Sequence, residues 1–187
     1  DRSELTATLA ERFGYEPFRA RQLIPWIYRD RETAFAKMTN IATKARDQLA
    51  TSFCVSRPRP TTMQQSKDGS RKYLFEVGQG DTVESVLIHQ PTRYTLCVSS
   101  QVGCAINCQF CRTALMGLKR NLETAEIIGQ VLAVQDDIKR LREESPELGV
   151  EPFQNIVFMG MGEPLHNLEN VIRAVRILND ELGLNFS

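Results

Sequence analysis

Net charge is the first thing this sequence lacks: its 187 residues carry 23 Lys plus Arg against 23 Asp plus Glu. A protein held to nucleic acid by non-specific attraction normally shows a basic excess, so any such contact here must use a local patch. Long apolar runs are missing too. None approaches the ~18 residues that read as a membrane span, and no charged-then-apolar signal segment opens the chain. The sequence starts at Asp1 rather than Met, which fits a trimmed chain. Extremes of composition are also absent, since 42% hydrophobic and 25% charged residues are ordinary globular values. They exclude a disordered tail, a collagen-like fibre and a small disulfide-stapled scaffold. At ~150 residues per domain, the length corresponds to roughly one to one and a half domains.

What is present begins with cysteine. There are five: Cys54, Cys97, Cys104, Cys108 and Cys111. An odd count with three clustered within eight residues does not match a secreted disulfide framework. It points to metal or redox chemistry in a reducing cytoplasm.

Residues 1–56 read as a helical segment. Leu5, Leu9 and Phe13 recur on one helical face, Leu23, Ile24, Trp26 and Ile27 continue it around Pro25, and Met38, Ile41, Ala45 and Leu49 form a third stripe. A small helical bundle explains those stripes as core. From Glu11 to Ala50 there are eight basic and five acidic residues, a modest excess that fits an RNA-facing surface or a solvated face equally well. Residues 57–64, with two prolines, read as a linker. The segment 57–92 as a whole reads as a small β region leading into the core. Lys72–Val77, Thr82–Gln90 and Tyr94–Ser99 are short β-rich runs, and Asp68-Gly69 fits a hairpin turn with positive φ at both central positions.

Residues 93–187 change to strand, loop, helix, repeated. Ile127, Val131, Val134, Ile138 and Leu141 predict an amphipathic helix capped by Asn121 or Thr124. Asn155–Met159 is a short apolar strand. Leu168, Val171, Val175, Leu178 and Leu182 predict a second helix, with Asn167 as its cap. The fold class is therefore α/β: N-terminal helices, a short β meander, then the first βα units of a barrel. A complete βα barrel needs at least ~200 residues. Only about half that length follows residue 93.

Cys104-Ala-Ile-Asn-Cys108-Gln-Phe-Cys111 is a CxxxCxxC motif. Three thiolates so close cannot lie along one regular strand and must wrap a loop around something. A structural zinc site takes four protein ligands, and only Cys97 and His166 are remote candidates for a fourth. Thiolates also select iron–sulfur clusters, and a cubane on three cysteines keeps one iron open to a small molecule. The second loop, Phe158-Met-Gly160-Met-Gly162-Glu163-Pro164, sits between an apolar strand and a helix. Its glycines allow close backbone approach to a ligand, and Glu163 can accept from an ammonium group. A plain turn explains such a loop when it stands alone.

The CxxxCxxC motif with Phe110 before its third cysteine resembles the radical S-adenosylmethionine (SAM) superfamily. The similarity extends through Val83-Glu84-Ser85-Val86, Thr95-Leu-Cys-Val-Ser-Ser-Gln-Val-Gly-Cys104, Asn121-Leu, Glu126-Ile-Ile-Gly-Gln130, Gly160-Met-Gly-Glu-Pro-Leu165 and Pro17-Phe-Arg-Ala-Arg-Gln-Leu-Ile-Pro-Trp-Ile-Tyr28. Together these resemble the dual-specificity ribosomal RNA and transfer RNA adenine-C2 methyltransferases, whose near neighbour is the adenine-C8 resistance enzyme.

The resemblance implies a [4Fe-4S] cluster on Cys104, Cys108 and Cys111, and SAM bound by Gly162 and Glu163. It implies Cys97 as a resolving thiol and Glu84 as a proton acceptor. It implies a methyl-carrying cysteine, a deoxyadenosyl radical, a transient protein–RNA crosslink and a transient disulfide. It also implies rRNA and tRNA as partners, engaged partly by the N-terminal helices, with an external, flavodoxin-type electron donor. Cytoplasmic location, monomeric state and no membrane partner are the accompanying expectations. The methyl-carrying cysteine is expected downstream of Ser187, so the chain alone is expected to be inactive in RNA methylation. The competing readings are another radical SAM enzyme, such as a glycyl-radical activase, and a zinc-stabilised RNA-binding module.

Strand alternation bears on two of these residues. Thr95, Cys97 and Ser99 share one face, which fits an active-site thiol. Glu84 shares a face with Val86 and Ile88, where desolvation would strengthen it as a base. Ordinary packing of a free cysteine and an acid on an edge strand are the simpler explanations. Cys54 is expected to pack in a core, His89 to sit on a strand surface, and His166 to lie near the glycine-rich loop.

Overall fold

The computed structural model describes residues 1–186; Ser187, the last residue of the expected third segment, lies outside them. They divide into two compact units: Asp1–Arg57 together with the chain from Val175 onward, and Pro58–Ala174.

The first unit is helical. Helix α1, Arg2–Phe13, starts at a capping box between Asp1 and Glu4 and stops at Gly14, whose N–H bonds back into the last turn. Helix α2, Phe18–Ile24, runs into a single π-turn over Pro25–Arg29. Pro25 has no N–H to continue the α ladder, which explains the change of pitch there. Helix α3, Thr43–Ser52, follows. Leu9, Ala20, Leu23, Phe35, Met38, Ile41, Ala45 and Leu49 form the core, with Leu5, Phe13, Trp26 and Ile27 packed against it. The three stripes are thus core. Cys54 is exposed, not buried as expected, because the residues on either side of it, Phe53 and Val55, are the ones that pack against the core.

The second unit is built on one mixed sheet of five strands. Strands β1 (Pro60–Gln65), β2 (Arg71–Val77), β3 (Asp81–Gln90) and β4 (Arg93–Cys97) form an antiparallel meander. Residues 60–65 are therefore a strand rather than a linker. It is an edge strand with its proline in first position, where a missing N–H removes nothing from the ladder. The β1–β2 turn also departs from expectation. Gly69 alone takes positive φ, its N–H donates to the Ser66 carbonyl, and Asp68 instead accepts from the Ser70 N–H.

Strands β5 (Gln101–Gly103) and β6 (Leu118–Asn121) form a separate antiparallel pair. Helix α4, Thr124–Glu144, then crosses to β7, Asn155–Val157, which joins β4 in parallel. Strand β4, helix α4 and strand β7 are thus a complete βαβ unit. The α4 cap is Glu123, paired with Glu126 in a capping box, rather than Asn121 or Thr124. Helix α5, Leu168–Leu178, ends before Leu182. Its buried positions are Val171, Ala174, Ile177 and Leu178, while Leu168 and Val175 are exposed.

Helix α4 lies over one face of the sheet. Ser85 and Tyr73 hydrogen-bond Gln130 and Asp137 of α4, and Arg71 pairs with Asp137 at 3.1 Å. Phe75, Val83, Leu87 and Leu96 share that face and are fully buried. The opposite face carries Glu84, Val86, Ile88, Thr95 and Cys97, and α4 leaves it uncovered.

Candidate active site: two loops at one end of the sheet

Register brings two expected site residues to one face. Val86 stands opposite Cys97, so Glu84, two residues along β3, shares the uncovered face with Cys97. Cys97 is also level with Val157 of β7. The thiol is 8% exposed. Burial pushes its pKa up, and a hydrogen bond from the Met159 N–H partly offsets that. Met159 opens the glycine-rich loop, so Cys97 sits at the foot of that loop.

Glu84 does not meet the expectation of desolvation. Its side chain is 44% exposed and ion-paired with Lys72 at 3.0 Å. Val86 and Ile88 beside it are half-buried, because the packed face of β3 is the other one. The Glu84 main chain nevertheless touches the loop system, since its carbonyl accepts from Ser99 Oγ at 2.6 Å.

The glycine-rich loop is clasped onto Val98–Gln101. The Gly160 N–H donates to the Val98 carbonyl, and the Met161 N–H to Ser99 Oγ at 2.8 Å. The Met161 carbonyl accepts from Ser100 and Gln101. The Glu163 N–H donates to Gln101 Oε1 at 2.8 Å. Side-chain-free residues are required by this contact: a Cβ on Gly160 would lie 2.7 Å from the Val98 carbonyl oxygen, and one on Gly162, at φ +97°, 2.5 Å from Gln101 Cβ. The close approach seen at these glycines is to the protein's own strand end. One carboxylate oxygen of Glu163 accepts from the Leu165 N–H.

The cysteine loop leaves from β5 and returns through β6. Its base is closed by the Cys104 N–H bonded to the Gly117 carbonyl at 3.1 Å. Asn107 takes a left-handed turn inside it, and the Cys111 N–H donates to the Cys108 carbonyl. Cys104, Cys108 and Cys111 are free thiols of intermediate exposure. Hydrogen bonds from the Ala114 and Thr113 N–H groups, with the Thr113 hydroxyl, hold the Cys111 pKa below its usual value. As placed, the three side chains do not converge: among the described residues no three His, Cys, Asp or Glu form a group able to hold a metal. The donor chemistry still suits a soft thiophilic centre, with three unpaired thiols on one loop and one of them biased toward thiolate. Phe110, beside Cys111, is 94% exposed, and Leu115, Met159 and Leu165 on the two loops are exposed as well. His166 is exposed; its N–H donates to the Glu163 carbonyl and its carbonyl accepts from Asn121.

Sequence reasoning missed the polar residues that hold this end together. Gln130 and Asn167 are buried, and each bonds backbone groups beneath the loops. Arg120 grips Glu126 with both guanidinium nitrogens at 2.9 Å and reaches Asp81 and the Gly78 carbonyl. A polar residue inside an apolar helical stripe, as Gln130 is, was the available signal.

A similar fold occurs in a solved structure. A radical SAM methyltransferase from Sphaerobacter thermophilus matches with a TM-score of 0.82 and 41% identity, over 100% of this chain and 52% of that one. The fold is thus similar to that of about half of a radical SAM methyltransferase. The family model described as "Ribosomal RNA large subunit methyltransferase N-terminal domain" matches residues 1–55. Proteins named dual-specificity RNA methyltransferase RlmN are similar throughout. The one from Geobacter sulfurreducens is 49% identical over 93% of this chain and 45% of its own length. The one from Pelobacter propionicus is 45% identical over 100% and 51%. The chain spans about half the length of these curated relatives. Over that shared half, it is similar to the proteins named dual-specificity RNA methyltransferase RlmN.

Proposed function

We propose that this chain contributes the cluster-binding and SAM-binding half of an RNA methyltransferase acting at C2 of adenine in 23S rRNA and tRNA. The observation that carries the reading is the clasp: one run of hydrogen bonds ties the glycine-rich loop to Val98–Gln101, the segment that runs from Cys97 toward the three-cysteine loop.

In this reading Cys104, Cys108 and Cys111 hold a [4Fe-4S] cluster, and their three thiols leave room for a non-protein ligand. Bound there, the cluster would supply the electron that cleaves SAM to methionine and a 5′-deoxyadenosyl radical. Gly162 and Glu163 bind SAM, with the carboxylate accepting from its ammonium group. Cys97 is the resolving thiol; it is buried on the face it shares with Glu84, and burial raises its pKa. Glu84 is the proton acceptor, ion-paired with Lys72 at 3.0 Å on the uncovered face. An external electron donor of flavodoxin type and the two RNAs are the partners of a monomeric, cytoplasmic enzyme. The helical segment 1–56 engages RNA, 57–92 leads into the core, and 93–187 begins the radical SAM domain.

The test is genetic and chemical. Deleting the gene and digesting rRNA and tRNA to nucleosides is expected to remove 2-methyladenosine from both. Loss of 8-methyladenosine instead would assign the neighbouring C8 activity, and unchanged levels of both would refute the reading.

A further inference from the structure

Gln101 is fully buried, and its side chain does more than close the clasp under the glycine-rich loop. Its carboxamide works in two directions. Oε1 accepts the Glu163 N–H at 2.8 Å, and Nε2 donates to Asn121 Oδ1 at 2.7 Å. Asn121 in turn donates through Nδ2 to the His166 carbonyl at 3.1 Å. One amide therefore reaches the glycine-rich loop at Glu163 directly and at His166 through its neighbour. Its Cβ and Cγ also fill the space left by Gly162.

The position in the chain matters as much. Gln101 opens β5, three residues ahead of Cys104, and pairs with Asn121 of β6, the strand that follows the cysteine loop. The Gln101–Asn121 pair is thus the root of that loop, and the same pair holds Glu163 and His166. A buried polar side chain with both ends engaged fixes a separation more sharply than apolar contact can, because a shift leaves buried groups unsatisfied.

We propose that Gln101 is a positioning residue that sets the Glu163 peptide, and with it the SAM-binding carboxylate, in register with the cysteine loop. The proposal rests on the SAM-binding reading of Glu163 given above.

The test uses the chain reconstituted anaerobically with iron and sulfide. SAM binding is measured by equilibrium dialysis, and the electron paramagnetic resonance spectrum of the reduced cluster is recorded with and without SAM. Gln101→Met keeps the volume and removes the polar atoms. It is expected to retain the wild-type iron and sulfide content, to bind SAM about tenfold more weakly or worse, and to lose the SAM-induced spectral change. Gln101→Glu keeps an acceptor for the Glu163 N–H and is expected to recover most of the affinity. Asn121→Ala, at an exposed position, is expected to fall between. Wild-type affinity in Gln101→Met, or equal impairment in Gln101→Met and Gln101→Glu, would overturn the proposal. If Gln101→Met does not fold, unchanged affinity in Asn121→Ala overturns it. A wild-type protein that takes up its cluster but binds no SAM overturns the reading of Glu163 itself, and is told apart because the parent fails rather than the variant.

Discussion

The side-chain amide of Gln130 on α4 stands in for a neighbouring strand at Ser99: Oε1 accepts the Ser99 N–H at 2.9 Å and Nε2 donates to the Ser99 carbonyl at 3.0 Å. Strand β4 has just ended at Cys97, so the two backbone groups of Ser99 lack ladder partners and are buried. Gln130 satisfies both, and also accepts from Ser85 Oγ at 2.7 Å and donates to the Glu126 carbonyl. The amide is fully used. Ser99 is thereby free to turn its hydroxyl to Met161 and to the Glu84 carbonyl.

Replacing Gln130 by Leu leaves the Ser99 groups and the Ser85 hydroxyl buried without partners. Each such group costs ~1–3 kcal/mol, so for the three a total loss of at least about 3 kcal/mol in unfolding free energy is expected. Urea denaturation measures it. A change below about 0.5 kcal/mol would mean that the amide is replaceable there.

Gly162 and Gly149 give a matched comparison. Both have positive φ, but a Cβ at Gly149 meets nothing within 4 Å, whereas one at Gly162 enters Gln101. Gly149→Ala should cost roughly 1–2 kcal/mol for the left-handed backbone alone. Gly162→Ala should add about 1–3 kcal/mol of overpacking to that and should weaken SAM binding. Equal melting points for the two variants would show that the loop gives way without cost.

The start of β3 and the start of α4 are joined by Arg120. Burial pushes the Glu126 pKa up, but the Arg120 guanidinium and the N–H groups of Glu123 and Gly78 outweigh it, leaving the carboxyl below its ordinary 4.5. A depressed carboxylate contributes stability that is present above that ordinary value and is lost as pH falls through the folded one. Denaturation midpoints are therefore expected to drop as pH is lowered from about 5 toward 3. Glu126→Gln should be less stable near neutrality and should lose less on acidification, so the two curves converge. Parallel curves would remove Glu126 from the acid response.

Elements with a strong local period were legible in the sequence. The stripe Ile127, Val131, Val134, Ile138 and Leu141 is buried in α4, as its spacing requires. The Met38–Leu49 stripe is buried too. Strand faces were harder to read. Val86 and Ile88 suggested the packed side of β3, yet that side belongs to Val83, Ser85 and Leu87. Ser85 disguised it, because a hydroxyl can be buried when Gln130 waits across the interface. Register was not legible at all. Alternation described Cys97 and Glu84 one strand at a time, and only the pairing of Val86 with Cys97 places both on one face. The end of α5 was misread for a similar reason: Leu182 continued the period, but the chain had already left the helix after Leu178.

The account turns on what Cys104, Cys108 and Cys111 hold. The most direct measurement is the iron, acid-labile sulfide and zinc content of the purified chain after anaerobic reconstitution, together with its absorbance. Four iron and four sulfide per chain are expected, with a brown protein, lost on alanine substitution of any of the three cysteines and kept on substitution of Cys54. One zinc per chain with no sulfide would contradict the account.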